Sequence, residues 1–215
     1  MGATSANRRV GAETSKTRAA LLDSVGQLML EEGYAGVSYR AVATKADITP
    51  SLVQYYFPTL DSLFVAMIRR LIDGDIARWN EALQKRPDEP LSVLWDYSWS
   101  EAAGALTMEL MALANHRSAL RAELAQGTQR IRKIQLDALK LKYGSGPFLD
   151  DRFSSEAMVL LLTSMPKYLS LEDGIEVKMG HKPLIAAFED YLKAVEPQAR
   201  NRRRPSSARR PRTRT

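Results

Sequence analysis

From Leu21 to Val195 the apolar residues return every three or four positions, and no stretch alternates apolar and polar residues long enough to build a sheet. That period predicts an all-α chain of about nine helices. The first runs from about Lys16 to Glu32, with Leu21, Leu22, Val25, Leu28 and Met29 on one face and Gly33 as its stop. A short helix follows Ser38. Another starts at Pro50 behind Thr49, where a missing N–H costs nothing, and ends near Phe57 before Pro58. Thr59 then opens a long helix striped by Leu63, Phe64, Met67, Ile68, Leu71, Ile72, Ile76, Trp79 and Leu83. Beyond the break at residues 85–90, four segments keep the helical period: 91–115, 118–143, 154–171 and 183–195. Gly104 is expected to split the first of these, and Pro166 to kink the third.

The ends of the chain read differently. Residues 1–15 are small and polar and are expected to form a flexible basic arm carrying Arg8 and Arg9. Residues 197–215 form an arginine-rich tail with eight arginines from Arg200 onward and no acid, which exceeds the net charge of +6 carried by the whole chain. The remainder is therefore net acidic. A tail of this kind favours sequence-independent attachment to nucleic acid, and the arm could enter a minor groove.

Composition narrows the chemistry. The 215 residues include no cysteine and 2 histidines, which removes disulfides, thiol catalysis and cysteine zinc sites, and no HExxH, P-loop or GxGxxG motif occurs. No metal, cofactor or catalytic residue is expected. No apolar run reaches the roughly 20 residues that span a bilayer, and no signal peptide is evident, so a cytoplasmic location with no membrane partner is the expectation.

Two short helices joined by a tight turn, from Ser38 to Phe57, make a helix-turn-helix whose second helix is presented for a DNA major groove. The run Glu31-Glu32-Gly33-Tyr34, Val37-Ser38, Val42-Ala43, Ala46, Ile48-Thr49, Tyr55-Tyr56-Phe57-Pro58 and Leu63-Phe64 resembles the TetR (tetracycline repressor) family of bacterial transcription regulators. Three positions depart from the family pattern. Asp47 stands where the turn usually has Gly, Gln54 replaces a common Tyr, and Leu60 replaces a lysine that often reaches a phosphate. Asp tolerates a left-handed backbone, so the turn is expected to survive.

The resemblance implies residues 16–60 as the DNA-binding domain and residues 61–196 as a helical effector-binding and dimerisation domain. Helix N-termini aim N–H groups at phosphates, so Ser38 and Thr49 would add hydroxyls to an anion site, and Tyr39, Tyr55 and Tyr56 would offer phenol groups. Arg40 could pair with guanine and Gln54 with adenine. Pro50 starts the reading helix and Ser51 is small enough to let it approach. Tyr56 reads equally as core between the third and fourth helices, and Phe57 reads as core there.

An effector cavity among the middle helices and a homodimer through the last two are further implications. Trp95, Trp99, Met108, Met111 and His116 are the candidates to line an adaptable, mostly apolar pocket, although each also reads as ordinary core. The runs 158–165 and 184–195 carry apolar residues on more than one face, and a reader with one short helix-turn-helix per chain works as a pair. The expected function is a sequence-specific regulator, a repressor released from a palindromic operator by a small ligand. Two alternatives stand beside it: a helical enzyme or carrier using Glu109, Glu123 or Asp137 with His116, and a DNA-compacting protein driven by the tail.

Overall fold

The computed structural model describes residues 3–99, 101–144, 146, 148–149 and 152–197, with the side chains of 3–15 and 101–105 outside that description. The arginine tail therefore lies outside the described residues, apart from Pro197. Among the described residues there are nine α-helices and a lone β-bridge between Phe148 and Phe153.

Helix α1 spans Ala3–Glu32. This corrects the expected arm: the backbone is helical from Ala3, through a stretch that holds no proline and a single glycine, Gly11, so that the helix propagates without a strong breaker. Gly33 ends it at φ 72°, a left-handed value that side chains resist. A 3-10 turn over Tyr34–Gly36 leads to α2 (Tyr39–Ala46), α3 (Pro50–Tyr56) and α4 (Leu60–Lys85). Thr59 and Ser62 close a reciprocal cap on α4: Ser62 N donates to Thr59 Oγ1 at 3.0 Å and Thr59 N donates to Ser62 Oγ at 3.2 Å.

Then come α5 (Pro90–Tyr97), α6 (Glu101–Ala114), α7 (Ser118–Tyr143), α8 (Ser155–Gly174) and α9 (His181–Val195). The predicted break at Gly104 falls earlier. Ser98, buried, turns its hydroxyl back to the Leu94 carbonyl at 2.7 Å, and α5 has ended at Tyr97. Pro166 lies inside α8, which continues past it.

Two apolar cores are built on this frame. The first joins α1 (Leu21, Val25, Met29), Val42 of α2, Val53 of α3, the first half of α4 and one face of α6 (Leu106, Leu110, Leu113). The second joins the far half of α4 (Trp79, Ala82) to α5, the end of α7 (Leu139), α8 (Met158, Val159, Leu162) and Leu192 of α9. Ile131 of α7 packs against both. Helices α4 and α7 run through the two cores side by side, and at Gly127 any Cβ would fall inside the Ile72 side chain.

Glu196 closes the second core. Its carboxylate is 3% exposed and accepts from the Leu91 and Ser92 amides at 2.9 and 2.8 Å, at the N-terminus of α5, and from the Tyr143 hydroxyl at 2.6 Å. Across the α8–α9 connection, His181 Nε2 pairs with Glu172 at 2.8 Å. Among the described residues no helix is long and apolar enough to cross a membrane.

Candidate nucleic-acid interface

Ser38 starts α2 with extended backbone, and its hydroxyl oxygen accepts from Ala41 N at 3.1 Å. Asp47 then takes φ 54° and ψ 48°, the left-handed conformation expected for the turn, while Ile48 N reaches Ala43 O at 3.0 Å. This fixes the angle between α2 and α3. Val53 is fully buried and Phe57 is 2% exposed, so α3 is anchored by one face. The other face is free: Pro50, Ser51, Gln54 and Tyr55 are exposed at helical spacing, Tyr55 at 76%.

Several expected contacts are displaced. The Tyr39 hydroxyl donates to the Phe57 carbonyl at 2.9 Å, so its proton ties α2 to the end of α3 and is not available to a phosphate. Burial also pushes that phenol above its ordinary pKa. Thr49 begins α3 without a side-chain cap, its hydroxyl lying 3.1 Å from that of Ser51. Tyr56 is half-buried against the first core, and its ring meets Tyr55 edge-on at 5.4 Å. Arg40 is exposed but lines, with Leu28, Glu32, Thr44 and Lys45, a surface depression of about 470 Å³ where α2 lies against α1. It stands on a different element from Gln54. Lys45 itself is paired with Glu31.

The contacts that hold this unit to the rest of the chain are not legible as a motif. Glu109 of α6 accepts from Tyr34 N at 2.9 Å. Arg117, in the turn between α6 and α7, pairs with Asp61 on the first turn of α4 and lies over the Phe64 ring at 5.7 Å. Glu123 and Asp137, weighed as chemical acids, are paired with Arg69 and Lys133 at 2.8 and 2.7 Å. His116 is exposed.

The five candidate effector residues are divided. Trp95 and Trp99 belong to the second core. Met108 and Met111 are 45% and 52% exposed, because helical spacing sets them opposite Leu106, Leu110 and Leu113, which α6 buries in the first core. This corrects the expectation of one pocket lined by all five.

Residues 21–67 match the family described as bacterial regulatory proteins, tetR family. An uncharacterised helix-turn-helix-type transcriptional regulator in the 5′ region of dhlA of Xanthobacter autotrophicus is 48% identical over 50 residues, a match that spans 23% of this chain and 25% of that protein. A transcriptional regulator from Rhodococcus sp. Rha1 is similar in structure, with a TM-score of 0.59 at 22% identity over 86% of this chain and 92% of that one. A protein of Saccharomonospora viridis crystallised with choline gives a TM-score of 0.63 at 13% identity, over 87% of this chain and 97% of that one. The helix-turn-helix segment is thus similar in sequence to the tetR family of bacterial regulatory proteins, and the whole all-α fold is shared with solved structures such as these.

Proposed function

We propose that this protein is a DNA-binding transcriptional regulator that works as a homodimer, reads a palindromic operator with α3 and releases it when a small, mostly apolar molecule binds the body. One observation carries the reading: α3 is held rigidly by Val53 and Phe57 while Pro50, Ser51, Gln54 and Tyr55 stand exposed together, the arrangement a groove-reading helix needs. Residues 16–60 form the reading unit, with Ser38, Arg40 and Thr49 at its phosphate-facing margin.

The dimer reading is supported by α8, where Leu160, Tyr168 and Leu171 are exposed on one stripe at 42%, 62% and 36%, and by Leu184 and Val195 of α9, each 37% exposed. Repression with release by ligand follows the family pattern, and the choline-bound relative shows that this fold accommodates a small molecule in at least one protein. The second core, with Trp95 and Trp99, is the part of the body suited to that role.

The test is selection of bound fragments from the source genome with the full chain, followed by gel-shift titration. A single palindromic sequence preferred over random DNA is the expected result. Binding without sequence preference, or none, would overturn the proposal.

A further inference from the structure

The geometry points to an effector that is electrically neutral and carries a carbonyl-type hydrogen-bond acceptor, received beside the paired indoles of Trp95 and Trp99; this deepens, and rests on, the reading of the body as effector-binding. Both indole Nε1–H groups are buried, and among the described residues neither has an acceptor. The two rings meet edge-on, with centroids 5.4 Å apart at 83°, so the two donors belong to one aromatic corner. Trp95 is also stacked on Phe188 of α9 at 5.4 Å and 7°, which fixes its ring and the direction of its N–H.

An indole nitrogen only donates, so whatever completes these bonds must accept. A buried donor without a partner is costly, a cost that an aromatic ring without an N–H, such as phenylalanine, does not carry. Two such donors on a pair of rings in contact are therefore open to a ligand oxygen. Charge is the next constraint. The buried charged side chains among the described residues are already engaged: Glu89 with Arg86, Glu196 with two amides and Tyr143, and His181 with Glu172. None of these three is left to serve as countercharge for a ligand ion entering this core, and an unpaired buried ion is far more expensive than a dipole. Met158 and Met165 border the same core, and their unbranched thioethers repack readily around a guest.

Four compounds of one carbon skeleton separate the possibilities: menthone, the hydrocarbon p-menthane, menthylammonium and menthanecarboxylate. Each is titrated into the full chain, with thermal melting and tryptophan emission as readouts. Menthone is expected to bind about tenfold or more tighter than the other three, about 1.4 kcal/mol, and to move the emission to the red as the indole N–H groups gain an acceptor. Trp95→Phe and Trp99→Phe keep an aromatic ring and lose the donor, so each should bring the ketone down to the level of the hydrocarbon, while Trp79→Phe keeps the preference. Equal binding of ketone and hydrocarbon, preference for either ion, or no response to any of the four would overturn the inference. Those comparisons stand on the native chain even where a variant fails to fold. Gel-shift on the selected operator, run on the same preparation, separates the two failures: a protein that binds its operator but ignores all four compounds refutes the ligand site and leaves the DNA reading intact.

Discussion

The Glu109 carboxylate on α6 accepts a hydrogen bond from the Tyr34 backbone N–H at 2.9 Å, joining residues 75 positions apart and fastening the body to the turn that precedes α2. Because this bond is exposed, its net worth is about 0.5–1.5 kcal/mol. Its consequence is local order more than global stability. Glu109→Ala is expected to accelerate hydrogen exchange of the Tyr34 amide about tenfold with little change in melting temperature, and Glu109→Gln, which keeps an acceptor, to restore most of the protection. Unchanged exchange in the alanine variant would show that the turn is held by its packing alone.

The two polar residues assigned to base reading should separate. Gln54 stands on the exposed face of α3, so Gln54→Ala is expected to cost about 1–3 kcal/mol of preference for operator over random DNA. Arg40 lines the α1–α2 depression instead. Arg40→Ala should therefore weaken both duplexes alike and reduce the salt dependence of binding, as the loss of a phosphate contact does. Gel-shift titration on both duplexes at two salt concentrations distinguishes these outcomes.

Glu196→Ala should be among the most damaging single changes in the body. It strips the acceptor from the buried Leu91 and Ser92 amides, and each group left unsatisfied costs about 1–3 kcal/mol. A loss of about 2 kcal/mol corresponds to a fall of about 4–8 °C in melting temperature for a chain of this size.

Tyr143 gives the same cap an alkaline signature. Burial first, and then the Glu196 carboxylate beside it, push its hydroxyl well above the ordinary tyrosine range. A pKa raised on folding means that the unfolded chain releases this proton first, near pH 10. The contribution is whole below about pH 10 and is lost as pH rises further. Melting temperature should fall more steeply above about pH 10 in the native chain than in Tyr143→Phe.

Gly127→Ala places a methyl group inside the space held by Ile72. Overpacking of this kind costs about 1–3 kcal/mol, and Ile72→Ala in the same chain should recover part of it, as a double-mutant cycle of melting curves would reveal. Additive losses would mean that α4 and α7 move apart rather than clash.

Local chemistry was readable from the residues alone. Thr59, Ser38 and Pro50 each mark a helix start because their effect depends on neighbours within a turn, and Asp47 marks the left-handed turn for the same reason. What escaped depends on distance in the chain. The partners of Glu109, Arg117 and Glu196 lie 75, 56 and 105 residues away, and no spacing rule connects them. Tyr39 looked available for phosphate because the Phe57 carbonyl that takes its proton is brought to it only by the fold. The same holds for Met108 and Met111: apolar residues on an apolar helix become exposed once the opposite face is chosen as the buried one.

The cap on α5 also orders events during synthesis. Amide groups at residues 91 and 92 wait for a carboxylate at 196, so the body cannot close until more than a hundred further residues have been translated. At about 5–20 residues per second that is a delay of several seconds or more. The helix-turn-helix, closed by contacts among α1 to α4 and α6, need not wait. A nascent chain stalled before α9 would emerge with a reading head already formed and an open apolar body, so premature termination late in the message should yield fragments that cling to DNA and recruit chaperones, instead of inert debris.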